Sequence, residues 1–142
     1  MDGSGASPLG RKLGITGDTR LVLVDAPTGV AAEVSPGVAP RTTARGPADV
    51  IVAFFTSRSA LERRVDGLAR AVFPGGGLWI AWPKRSSEVT SDLSDEVVRQ
   101  VALPRGLVDN KVCAIDQTWS ALRVVWRRER RTPSAGLPEP LA

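Results

Sequence analysis

The sequence predicts an α/β fold: a mostly parallel sheet of about five strands, the last two an antiparallel hairpin, with helices on both faces. Three observations predict it. The stretch from Asp49 to Lys84, DVIVAFFTSRSALERRVDGLARAVFPGGGLWIAWPK, reads as one strand–helix–strand unit. A short apolar run, Arg20 to Val24 (RLVLV), precedes it. Two runs of strand type, Leu107 to Asp116 and Ala121 to Arg127, follow it across the short turn 117–120.

Val50 to Phe55 is apolar on both faces and rich in β-branched and aromatic residues, as a parallel strand covered on both sides requires. Ser59 and Glu62 stand at capping-box spacing and predict a helix start there. Leu61, Val65, Leu68 and Val72 then form one apolar stripe, while Glu62, Arg63, Arg64, Asp66 and Arg70 face water. Pro74 and Gly75–Gly77 stop the helix near 73, and Leu78 to Trp82 is the next strand, reached by a right-handed crossover.

Toward the amino end, Met1 to Ser7 reads as disordered, and Pro8 to Leu13 as a short helix with proline in its first turn and Gly14 at its end. The turn after the first strand, Asp25-Ala-Pro-Thr-Gly29, contains one glycine, and Pro27 removes a backbone donor. A loop that brings its N–H groups onto a cofactor phosphate or adenosyl group needs several glycines. Residues 30–48 are too short and too rich in Pro and Gly for a full cofactor-binding half, offering a helical turn or two at Val30–Val34 and a short strand at Arg41–Ala44. Beyond the central unit, a helix is expected from Ser91 or Asp92 to Leu103, stopped by Pro104 and Gly106. In the last strand Leu122, Val124 and Trp126 alternate with Arg123, Val125 and Arg127, which predicts an antiparallel strand near an edge with Leu122 and Trp126 more buried than the arginines. Residues 129–142 read as a disordered tail.

Composition narrows the chemistry. The 142 residues suit a single domain, 8–128, and 42% hydrophobic residues suffice for a core. No apolar stretch has the length of a membrane span or of a leader peptide, so a cytoplasmic location and no membrane partner are expected. The absence of histidine removes Ser–His–Asp and Cys–His pairs, histidine-based zinc sites and imidazole catalysis. Cys113, the single cysteine, reads as a small core residue. The net charge is +4, of which Arg127 to Ala142, with four arginines against Glu129 and Glu139, supplies +2. That tail allows non-specific contact with nucleic acid or an acidic partner, but no motif for sequence-specific recognition accompanies it.

The strings PLGRKLGI, PGGGLWIAWPK, SDLSDEVVRQVAL and GLVDNKVCAIDQTWSALRVV, spanning Pro8 to about Arg128, resemble a bacterial family of small proteins known as a domain of unknown function. The order of elements resembles the C-terminal half of the class I (Rossmann-like) methyltransferase fold attached to its first strand, with the elements between shortened. The resemblance implies that Rossmann-like fold and brings no established activity.

In open α/β sheets ligands bind beyond the carboxyl ends of the strands. That rule makes Asp25, Thr56, Ser57, Arg58, Trp82 and Lys84 the candidate ligand residues, with an anion favoured by Lys84 and by the amino end of the helix near Ser59. Asp116, Trp119 and Ser120, at the hairpin turn, form a secondary candidate cluster. Each has a plainer reading: Asp25 holding a turn, Ser57 or Ser59 capping a helix, Lys84 solvated, Trp119 packed under its hairpin. No catalytic residue, metal ligand or cofactor is identified. The expected function is a non-catalytic ligand-binding, regulatory or protein-interaction module, with a small-ligand, methyltransferase-like transferase as the alternative. The short 30–48 segment thins the cover of one sheet face, which favours self-association or a protein partner.

Overall fold

The computed structural model describes residues 8–16, 18–34, 41–43 and 46–130. The expected disordered start, 1–7, and the tail beyond 130 lie outside the described residues. Five strands form one sheet: β1 (Leu21–Val24), β2 (Val50–Phe54), β3 (Gly77–Pro83), β4 (Leu107–Ala114) and β5 (Trp119–Trp126), in the spatial order β1-β2-β3-β5-β4. β1, β2 and β3 are parallel neighbours, and β5 runs antiparallel to both β3 and β4. This is the Rossmann-like, methyltransferase-like arrangement expected of the sequence. β5 lies inside the sheet, however, and β4 is its edge. Leu122 and Trp126 are fully buried while Arg123 and Arg127 are half-exposed, as the alternation requires. The interior place of β5 explains why Val125, on the opposite face, is buried too.

Two helices cover one face. α3 (Arg58–Ala71) and α4 (Asp95–Ala102) pack Leu61, Val65, Leu68, Val98 and Val101 against Ile51, Ala53, Leu78, Ile80, Trp82, Leu122, Val124 and Trp126. The other face is covered by α1 (Pro8–Lys12) and α2 (Val30–Val34), where Leu9, Leu13, Val30 and Val34 meet Leu23, Val52, Phe54 and Trp79. Two buried indoles fasten the layers: Trp79 Nε1 donates to Leu13 O at 3.0 Å and Trp126 Nε1 to Ala69 O at 2.8 Å. An unpaired buried N–H costs about 1–3 kcal/mol, so each bond fixes where its layer sits.

Helix starts differ from the capping-box reading. Ser57 is the cap of α3, its Oγ accepting the Ala60 N–H at 3.2 Å, two residues before Ser59. Glu62 pairs with Arg58 at 3.0 Å instead of turning back to the helix end. α4 begins at Asp95 behind the Ser94 cap, and Leu103–Arg105 is a separate 3-10 turn closed by Gly106 at φ +89°. Arg128–Arg130, at the start of the expected tail, form another 3-10 turn. The strand expected at Arg41–Ala44 is reduced, among the described residues, to one parallel bridge between Arg41 and Val22.

At the amino ends of the strands, Asp49 accepts the Arg20 backbone N–H at 2.8 Å and its guanidinium at 2.9 and 3.2 Å. These bonds hold the Asp49 carboxyl below the ordinary carboxylate range and clamp β1 to β2 at their amino ends. No helix among the described residues is long and apolar enough to cross a membrane.

Candidate functional site

The carboxyl ends of β1 and β2 form a cleft. After Val24 the chain turns at Asp25, whose φ of +56° is the left-handed conformation that a short polar side chain tolerates. Gly29, at φ +91°, completes the turn into α2. β2 ends at Phe54. Phe55 is buried and bonded to Ala81 O at 3.0 Å, and Thr56 is exposed at the rim. From there α3 follows and brings Ala60, Arg63 and Arg64 to the cleft. The first residue of β5, Trp119, supplies another wall. Asp25, Phe54, Phe55, Thr56, Arg63, Arg64 and Trp119 thus line a cleft of about 370 Å3.

This cleft sits where chain order reverses. Arg41 bridges Val22 on the outer side of β1, and β2 pairs with its inner side. The chain therefore leaves β1 in one direction and returns on the other, which is the place where open α/β sheets take their ligands. Its charge is unbalanced. Arg64 reaches Asp25 only at 3.9 Å, whereas the Arg20, Arg58, Arg99 and Arg105 ion pairs lie between 2.9 and 3.1 Å. No partner for Arg63 is found among the described residues. Trp119 is half-buried and perpendicular to Phe54, with ring centroids 5.1 Å apart at 83°.

The expected crevice is divided by the structure. Asp25 and Thr56 line this cleft, together with Trp119 from the secondary cluster. Lys84 lines a second one, of about 470 Å3, with Pro83, Arg85, Val89 and the segment Thr90–Ser94. Ser57 is engaged as the helix cap. Arg58 turns toward α4, its guanidinium bonded to Glu62 and Gln100 at 3.0 Å each. Trp82 points to the α3–α4 face, buried in that core with Ile80 and Leu78, because alternation along β3 puts its even-numbered side chains there. The amino end of α3 is already served by the protein's own anion. Asp92 Oδ1 accepts the Arg58 N–H at 2.8 Å, so a carboxylate complements the helix dipole where an external anion was expected.

Within the secondary cluster, Asp116 Oδ1 accepts the N–H groups of Thr118 and Trp119 at 2.8 Å each, shaping the hairpin turn. Ser120 stands in register between Trp82 and Ala114. Burial raises the Cys113 thiol pKa and keeps it protonated. Among the described residues no cluster of metal-ligating side chains occurs. Arg63 and Arg64 escape sequence reasoning because they read as the solvated face of an amphipathic helix. The detectable signal is their place, in the second turn of the helix that follows β2.

No family model matches the chain, and no curated protein matches it in sequence. Solved structures do resemble it. Magnesium protoporphyrin IX methyltransferase from Synechocystis PCC 6803, solved with bound SAM (S-adenosylmethionine), matches with a TM-score of 0.51 at 10% identity over 77% of this chain and 70% of that one. The fibrillarin pre-rRNA processing protein of Methanococcus jannaschii gives 0.50 at 17% identity over 77% and 66%. A SAM-dependent methyltransferase from Aquifex aeolicus gives 0.50 at 12% identity over 75% and 81%. At these identities the likeness is one of fold: the chain has the methyltransferase-like architecture.

Proposed function

We propose that the chain binds a small ligand in the β1–β2 cleft and acts there as a small-ligand transferase, a reading that likeness to methyltransferases favours over a non-catalytic module. The observation that carries it is the cleft's position at the carboxyl ends of β1 and β2, where the chain order reverses, with polar and charged side chains converging on an aromatic floor.

S-adenosylmethionine, the group this fold suggests, fits the cleft in part. Asp25 offers a carboxylate to its ammonium, Arg64 a guanidinium to its carboxylate, and the Phe54–Trp119 pair an aromatic surface to its sulfonium. When bound, it supplies an electrophilic methyl group. Its ribose end is less well met. No Asp or Glu occurs between Glu33 and Asp49, where an acidic residue would accept the ribose hydroxyls. The turn after β1 has one glycine and a proline. These two facts favour the second reading, a ligand-binding module without methyl transfer.

A thermal-shift series with S-adenosylmethionine and S-adenosylhomocysteine separates the two. At about 100 times its Kd a ligand stabilises the protein by about 2.7 kcal/mol, so the transferase reading expects a clear rise in melting temperature with both. No rise at millimolar concentration would overturn it in favour of the module.

A further inference from the structure

We infer that the cleft selects a planar anion: a carboxylate or phosphate borne on a flat ring, taken as ligand or as the acceptor of a transferred group. The inference deepens the reading that the β1–β2 cleft is the ligand site, and rests on it.

Charge is the first reason. Arg63 and Arg64 face the cleft against one carboxylate, Asp25, and the 3.9 Å Arg64–Asp25 approach leaves that carboxylate largely in water, its side chain 71% exposed. Arg63 has no ion-pair partner among the described residues. A guanidinium is a planar fork matched to carboxylate and phosphate oxygens, and one or both of these forks stay available to an incoming anion.

Shape is the second. Trp119 is the half-buried member of the four tryptophans; Trp79, Trp82 and Trp126 are buried. Its ring is positioned from two sides. Phe54 stands perpendicular to it, at 83°, and its backbone is tied by the Asp116 carboxylate on its N–H and by the Ile115 N–H on its carbonyl at 2.8 Å. No hydrogen bond to its indole N–H is found among the described residues, whereas Trp79 and Trp126 each donate to a carbonyl. A fixed aromatic wall beside an available guanidinium favours a flat ring that carries a negative charge, since stacking and charge pairing then act on one rigid ligand.

Titrations of the full chain followed by tryptophan fluorescence test this, because Trp119 is the indole a ligand in the cleft reaches; Trp119→Phe identifies its share of the signal. The probes are benzoate and phenyl phosphate, with benzamide, benzylammonium and acetate as controls and S-adenosylmethionine in parallel. Saturable quenching by benzoate or phenyl phosphate is expected, at least about tenfold tighter than by benzamide, as one charge-assisted hydrogen bond provides. Arg63→Gln is expected to abolish that preference and Arg63→Lys to retain part of it, both melting with the parent protein. Equal binding of benzamide or benzylammonium would overturn the anion, and equal binding of acetate the ring. Binding of S-adenosylmethionine without either aromatic anion would overturn this inference and leave the transferase reading standing. Silence of every probe would overturn both.

Discussion

Replacing Gly75, Gly76 and Gly77 one at a time by alanine should give three different results, although the sequence offers them as one helix stop. A Cβ on Gly75 meets nothing within 4 Å, so Gly75→Ala gains by restricting the unfolded chain and should change stability by no more than about 1 kcal/mol, toward greater stability. A Cβ on Gly76 would lie 2.8 Å from Asp49 O and 2.9 Å from Ala48 O. Those atoms belong to the backbone entering β2, which is held by Ala48 N–H to Ala71 O at 2.8 Å and Gly77 N–H to Asp49 O at 2.9 Å. They cannot withdraw alone, and Gly76→Ala should cost about 1–3 kcal/mol, the usual range for overpacking. A Cβ on Gly77 would meet the Arg123 guanidinium, 2.7 Å from its Cζ, a flexible end that can move. Gly77→Ala should fall between the other two. Urea denaturation with a common slope measures all three. Equal costs, or a neutral Gly76→Ala, would refute the close approach of the β2 and β3 entries.

Asp92→Ala should destabilise by about 1 kcal/mol, and Ser57→Ala by about 0.5–2 kcal/mol, because each removes an acceptor from the first turn of α3; a double-mutant cycle by urea denaturation checks both. The Asp49 carboxyl is more acidic folded than unfolded, so its contribution is fully present above pH of about 4 and is lost as pH falls through its lowered folded value. Asp49→Asn should therefore flatten the acid limb of the pH–stability curve, and an unchanged limb would show that the Arg20–Asp49 clamp does not stabilise the fold. Burial keeps Cys113 protonated, so its alkylation by iodoacetamide should be slow at pH 7 in the native protein and fast after denaturation.

The strand–helix–strand unit is legible in the sequence because its signals are local: an apolar run with β-branched residues, a stripe at helical spacing and a glycine stop. The hairpin is legible for the same reason, through the alternation at Leu122, Val124 and Trp126. What lies beyond local reach is which residues meet. Asp92 caps α3 from 34 positions away, and nothing in its neighbourhood announces that; the same bond takes the helix end from the expected anion. Lys84 reads as a neighbour of Thr56 because both follow parallel strands, yet the 84–94 segment folds toward α4 and gives Lys84 a cleft of its own. β5 reads as an edge strand because arginines alternate along it, but it lies inside the sheet, and Arg123 lies over Gly77, where the missing side chain makes room. Asp25 and Thr56 were locatable by a topological rule alone. Trp119 joins them because β5 inserts beside β3, an order that local periodicity does not encode.

A backbone amide and indole N–H shift map of the full chain, titrated with S-adenosylmethionine and, separately, with benzoate, tests directly whether the β1–β2 cleft is the ligand site. Movements are expected to concentrate at Asp25, Phe54 to Thr56, Ala60 to Arg64 and Trp119, with Lys84 to Val97 unmoved. Shifts concentrated at Lys84 to Val97, or no shift in either region with either ligand, would contradict that expectation.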